Sequence, residues 1–249
     1  MLARKPIGVS LLSFASFLAI WQLVALWADS RLFPLPMTVL EVLLESIAEG
    51  ELQYHIGHTL LRVAVSFALA MAVGIGIGIT LGRSKPLDRF FDGWLTLFLN
   101  VPALVTIILC YVWLGLIETA AVLAVAINKI PNVVVTIREG ARALERDYLE
   151  MAQSFRLSRF TVLRHIVLPQ LAPFLIASTR SGLALIWKIV LVVELLGRSN
   201  GVGFQLHLFF QLFDIASILA YTLAFVLVIQ ALEYGFLQPL ERRVSRWRR

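Results

Sequence analysis

Charge is scarce in this chain. Only 15% of its 249 residues are Asp, Glu, Lys or Arg, and 59% are hydrophobic, against about 25% charged and 45–50% apolar in soluble domains. The shortage excludes an ordinary water-soluble enzyme and points to a chain dissolved in lipid, in keeping with a mean hydropathy of +0.83. Cysteine is nearly absent. Cys110 stands alone inside an apolar run, which excludes an intrachain disulfide and a cysteine-rich metal site; it reads as a small buried side chain. No G-x-x-x-x-G-K-[ST] loop occurs, so the chain is not expected to hydrolyse ATP, and no H-E-x-x-H or paired Asp/His set suggests a membrane enzyme. Of the histidines, His55 and His58 lie near Glu51 without a third convincing ligand, so no metal is expected.

What the sequence does have is long apolar runs. About 20 apolar residues are needed for a helix to cross the hydrocarbon core. Six segments meet that length: 8–28, 58–82, 93–114, 117–137, 168–195 and 215–237. No long alternating strands compete with them, so a barrel is not expected. The first run follows Arg4 and Lys5 but exceeds the h-region of a signal peptide, and is read as an uncleaved span. The expected fold is an all-α integral membrane protein of six transmembrane helices, forming one domain over residues 1–249.

The sign of the charge that remains is uneven. With both termini inside, sixteen of the 22 Lys and Arg residues fall on one side: Arg4 and Lys5, then Arg83, Lys85 and Arg89, six in a long internal loop, and five in the C-terminal tail. Arg31 and Arg198 fall on the other side, and Arg62, Lys129, Arg180 and Lys188 fall within spans. That asymmetry predicts cytoplasmic N- and C-termini and a cytoplasmic loop. It also accounts for the net charge of +6 without nucleic acid as a partner. Two external segments, 34–57 and 197–214, read as interfacial: a short helix after Pro34 and Pro36, which Thr38 can cap, and an aromatic helix after the turn Ser199-Asn200-Gly201-Val202-Gly203. Such helices rest on membrane lipid.

The loop over residues 138–169 sets Arg138, Arg142, Arg146, Arg156, Arg159 and Arg164 against Glu139, Glu145, Asp147 and Glu150. It reads as two short helices with a bend. Arg142, Arg146 and Glu150 are four apart, so one helix face is expected to carry all three, and Leu168-Pro169 is expected to end the pattern and begin the next span. Exposed aromatics on a surface helix suit docking to another protein.

The spacing here is specific. Glu150, Ala152, Ile166, Leu168 and Pro169 match Glu-Ala-Ala, three residues, Gly, nine residues, Ile-x-Leu-Pro. This resembles the EAA loop of importer-type ABC transporter permeases. Met151 stands where the family has alanine, and Arg156 where it bends on glycine. Asn100-Val101-Pro102, Trp113-Leu114-Gly115, the series Arg180, Gly182, Leu183, Trp187, Glu194, and Ser199-x-Gly-x-Gly-Phe204 resemble the branch that imports nitrate, sulfonates or taurine. The resemblance implies the type I importer permease fold in the cytoplasmic membrane of a prokaryote. It implies as partners two cytoplasmic ATPase subunits that use ATP and Mg, a second permease copy, and a periplasmic or extracellular substrate-binding protein. It also implies that Glu150, Met151, Ala152, Phe155, Arg156, Leu157, Ser158, Arg159 and His165 couple to the ATPase.

Charged groups within spans should face protein or a water-filled cavity, because each costs roughly 2.5–3.5 kcal/mol at mid-membrane. Lys129, Arg180 and Lys188, with Asn100, Asn128 and Glu194, are candidates to line the path of an anionic or polar solute. Internal pairing, for example of Lys188 with Glu194, is the alternative, and Arg62 is expected to snorkel from its span end. Pro102, Pro131, Pro169 and Pro173 mark expected breaks. Gly74/Gly78 and Gly78/Gly82 read as tight helix contacts, not as a nucleotide fingerprint. An ion-coupled carrier would show an internal repeat, which is missing here, and a scaffold protein would not need charge-bearing, proline-interrupted spans.

Overall fold

A computed structural model describes residues 7–239, all helix, turn and loop; the basic residues expected at both cytoplasmic termini lie outside that range. Eleven α-helices follow in order: α1 (Ile7–Ala28), α2 (Pro36–Glu49), α3 (Glu51–Arg83), α4 (Lys85–Asn100), α5 (Ala103–Leu114), α6 (Glu118–Arg142), α7 (Arg146–Ser154), α8 (Arg159–Val162), α9 (Leu168–Gly197), α10 (Val202–Gln211) and α11 (Ile215–Leu232). Among the described residues four helical runs are long and apolar enough to cross a membrane: Glu51–Arg83, Glu118–Arg142, Arg159–Gly197 and Ile215–Gly235. The bent pair α4 and α5 makes a fifth if counted as one span. α1 covers the first expected span and rests on α2, where the Trp21 indole donates to the Pro34 carbonyl at 3.0 Å.

α3, α6 and α9 form the core. α3 lays Gly74, Gly78 and Gly82 along one stripe against Val133, Ile137 and Ala141 of α6. A methyl group at Gly78 would stand 2.8 Å from the Ile137 Cβ, so the glycines let the two backbones approach as small-residue stripes do in membranes. α9 closes the third side, with Leu171, Ile186, Val190 and Val193 fully buried.

Several local expectations are corrected. The span expected over 93–114 is not one helix: Val101 and Pro102 are extended, and α4 meets α5 at 94°. Proline disfavours the helical region for the residue before it. At Pro131, Pro169 and Pro173 the helical run nevertheless continues. α9 begins at Leu168 as expected, but the helical pattern does not end before it: Arg159 to Gly197 is one run, with a π-turn at Leu163–Val167 in which Leu168 donates to the Leu163 carbonyl. The wider turn relieves the clash between a proline ring and the carbonyl four residues back. A second π-turn, Glu233–Leu237, precedes Pro239 by the same interval. α2 starts at Pro36, with Leu35 as its cap residue in place of Thr38, because proline suits the first helical turn.

Candidate functional site

Two sites emerge at opposite ends of the bundle. The first is the charged loop. α6 ends at Arg142, and the chain turns through Ala143–Glu145 before α7. Arg142 therefore does not share a helix face with Arg146 and Glu150; its guanidinium pairs with Glu139 at 2.8 Å and with Asp88 of α4. Arg138 bonds Asp88 at 3.1 Å and Asp92 at 2.6 Å, so α4 is riveted to the end of α6. The turn is fixed to α9 by the Glu145 N–H, which donates to Gln170 Oε1 at 3.0 Å.

α7 and α8 meet in the expected bend. Arg156 stands at φ +47°, the left-handed region that L side chains avoid. Around it Arg156 N–H donates to Gln153 O at 3.0 Å and Leu157 N–H to Ala152 O at 2.9 Å. These are the two bonds of a Schellman closure, with arginine at the position that glycine usually takes. The bend geometry thus survives the substitution. Ser158 then caps α8, accepting from the Thr161 N–H at 3.1 Å.

Of the residues expected to couple, Ala152 is buried at 3% exposure and lines one cavity with buried Val167. Glu150, Met151, Arg156, Leu157, Ser158, Arg159 and His165 are exposed, and Phe155 and Phe160 are 74% and 68% exposed. A cavity of about 620 Å³ beside the bend is bordered by Arg83, Arg156 and Arg159. Two phenyl rings are thus bared within a charged surface.

The second site was not foreseen. Arg62 does not snorkel: it is 2% exposed and joins three elements. Its Nε and Nη2 donate to Glu118 of α6 at 2.6 and 3.1 Å. Its Nη1 donates to Glu194 of α9 at 2.7 Å and to the Asn200 carbonyl at 2.9 Å, and Nη2 reaches Asn200 Oδ1. Glu194 is fully buried; its other oxygen accepts from Thr59 and from the Gly203 N–H, each at 2.9 Å. It therefore pairs with Arg62, not Lys188, and in this conformation borders no open path. Arg198 completes the set on Glu118 at 2.9 Å. The signal in the sequence was an arginine within a span that must find an acid and acids at the ends of two other spans.

His55, Gln205 and Gly201 extend this cluster. The Gly201 N–H donates to His55 Nδ1 at 3.0 Å, so the neutral ring carries its proton on Nε2. That nitrogen is 2.7 Å from the Gln205 amide. Turning the amide so that Oε1 accepts from it satisfies the otherwise unpartnered Gln205 Oε1.

The remaining path candidates are dispersed. Asn100 ends α4 at the bend, exposed, and donates to the Thr96 carbonyl at 2.7 Å. Asn128 is half-buried, and Arg180 and Lys188 are exposed on α9. Lys129 is 2% exposed and packs under Gly182, where a methyl group would lie 3.1 Å from its Cε. Its ammonium has no ion pair or hydrogen bond among the described residues.

Comparison with known proteins gives this arrangement its context. Residues 70–246 match the model of the binding-protein-dependent transport system inner membrane component family. The chain is 31% identical over 201 residues, 80% of its length and 73% of the relative's, to an aliphatic sulfonates transport permease protein of Escherichia coli (strain K12). It is 28% identical over 250 residues, 98% of its length and 90% of the relative's, to the taurine transport system permease protein of the same strain. Its fold is that of a chain of the MetNI methionine ABC transporter in an inward-facing conformation, with a TM-score of 0.66 and 14% identity over 76% of this chain and 94% of that one. A bundle of apolar helices with a bent, aromatic-bearing loop and a match over most of its length lead to one conclusion: the chain belongs to the binding-protein-dependent transport system inner membrane components, the multi-pass permease subunits of ABC importers.

Proposed function

We propose that this permease works as one of two identical copies, that cytoplasmic ATPase subunits grip the surface around Phe155 and Phe160, and that an external binding protein supplies the solute. ATP and Mg belong to the ATPase, and this chain converts its movement into alternating access. The observation that carries the reading is the bend at Arg156: a hydrogen-bonded elbow that bares Phe155, Leu157 and Arg159, with α8 opening the continuous helical run that leads into α9. In this reading a force applied at the elbow reaches α9 along that run, and α6 through the short Ala143–Glu145 turn.

Purification of the tagged chain from membranes of its own cell tests this. An ATPase with a P-loop is expected to accompany it and to be lost with Glu150→Lys or Phe155→Asp while the permease stays in the membrane. Retention of the ATPase by both variants, or its absence from the unaltered chain, overturns the reading.

The solute in this proposal is a small anion of the sulfonate or taurine type. The relatives' names support that class, and so does Lys129 in the middle of α6, buried and without an ion pair among the described residues; such an ammonium favours an anion passing nearby. In this reading Asn100, Asn128, Arg180 and Lys188 serve the same solute at separate points, and Glu194 acts through Arg62. Uptake of labelled taurine and of an aliphatic sulfonate, measured for Lys129→Ala and Arg180→Ala in assembled complexes, is expected to fall; unchanged uptake by both removes these residues from the path.

A further inference from the structure

The end of the bundle opposite the coupling loop is tied together by one buried polar cluster. It holds the first turn of α10. Three consecutive backbone N–H groups open that helix, and each finds a side chain from another element: Gly201 finds His55 at 3.0 Å, Val202 finds Thr59 at 2.9 Å, and Gly203 finds Glu194 at 2.9 Å. A helix start has orphan donors and a partial positive charge. Here both are met by a carboxylate with no solvent exposure, and Arg62 neutralises that carboxylate from its other side.

The fit leaves no slack. Gly201 takes φ +105°, and a side chain there would run into the Glu194 carboxylate; one at Gly203 would run into the Leu191 carbonyl. Arg62 also holds Glu118 at the start of α6 and Asn200 in the loop before α10. If α10 moved away from α3, a buried carboxylate and three N–H groups would lose their partners at once. Separating these elements is therefore costly.

We propose that Glu194 and Arg62 are positioning residues for transport, which make α10 a rigid extension of α3, α6 and α9, so that the outer mouth opens by movement of this whole unit and not by a swing of α10. The proposal rests on the chain acting as an importer permease with alternating access. It makes α10 a fixed lip of the pathway, and it assigns the turn Asn200–Gly203 to fastening, not to hinging.

Crosslinking across the cluster tests it without knowledge of the solute. The intact complex of permease, ATPase and binding protein is made with Cys110→Ala and the pair Thr59→Cys/Val202→Cys, whose parent groups are in hydrogen-bond contact. Oxidative crosslinking is compared in the nucleotide-free and the vanadate-trapped complex. Equal yields in both states, with ATP hydrolysis retained after crosslinking, are expected. Loss of crosslinking in either state, or ATP hydrolysis that stops on oxidation and returns with reductant, overturns the proposal. The pair His55→Cys/Gln205→Cys with a short bismaleimide repeats the comparison should the first pair not assemble.

A second readout separates positioning from mere support of the fold. In assembled complexes, Glu194→Ala is expected to keep basal ATP hydrolysis but to lower taurine uptake per ATP about tenfold or more, as follows when a two-state gate is unbalanced, with partial rescue in Glu194→Gln. Unchanged uptake per ATP in Glu194→Ala overturns the proposal. A wild-type complex in which taurine moves neither uptake nor ATP hydrolysis counts against the solute assignment, whereas the crosslinking result stands independently of it.

Discussion

The backbone N–H of Leu157 donates to the carbonyl of Ala152 at 2.9 Å across a turn in which Arg156 holds φ +47°. This closure joins α7 to α8 and sets the angle of the coupling elbow. A left-handed L residue costs roughly 1–2 kcal/mol relative to glycine. Arg156→Gly is therefore expected to strengthen the elbow by about 1 kcal/mol, seen as slower hydrogen exchange at the Leu157 amide. Arg156→Val is expected to do the opposite, because a β-branched side chain fits that region worst. Faster exchange in the glycine variant would show that the arginine side chain, not the backbone geometry, holds the turn.

The contact of Gly78 with Ile137 makes a second prediction. Gly78→Leu forces α3 from α6, and overfilling a tight core contact costs about 1–3 kcal/mol. A lower thermal midpoint of the detergent-solubilised permease is expected for Gly78→Leu. Gly76 is on the same helix but has nothing within 4 Å of a built Cβ, so Gly76→Ala should leave the midpoint unchanged. Equal effects at the two positions would contradict the stripe.

Arg62 and Glu194 should be strongly coupled energetically. Truncation of one member of a buried ion pair costs about 3–5 kcal/mol, because the other charge is left unpaired. Glu194→Leu and Arg62→Met are each expected to destabilise the permease severely, and the double variant by less than the sum of the two. Denaturation midpoints for the four forms measure the coupling; strict additivity would mean that the two groups do not depend on each other.

Cys110 is 6% exposed in the core. It should resist a maleimide in the native permease and react fully after denaturation in SDS, with mass spectrometry as the readout. Native reactivity would place the α5–α6 contact in water.

Much of the fold was legible in the chain because lipid imposes a simple rule: an apolar run long enough to cross must satisfy its own backbone, and does so as a helix. The cores of α3, α6, α9 and α11 follow from that. The bend of the charged loop was legible because its motif lies in one continuous stretch, Glu150 to Pro169. Local chemistry was harder to read. Pro102 breaks its helix at 94°, whereas Pro169 rides through one on a π-turn, and nothing near either proline distinguishes the two. What differs is the neighbourhood: an extended Val101 before Pro102, and a continuous helical run that keeps Ile166 and Val167 buried before Pro169.

The buried cluster shows the same limit more sharply. Arg62, Glu118, Glu194 and Asn200 are separated by up to 138 positions in the chain; alone, Arg62 reads as a snorkelling group, Glu194 as a path-lining one and Asn200 as part of a turn. The sequence by itself determined that the chain is helical, lipid-embedded and of the importer permease family, because hydropathy and motif spacing are properties of contiguous residues. Only the tertiary structure decided which internal charges find each other. Arg62 had several acids within its reach in principle; the approach of α3 to α6 over the glycine stripe, and of α9 behind them, selected Glu118 and Glu194 and left Lys129 without an ion pair among the described residues.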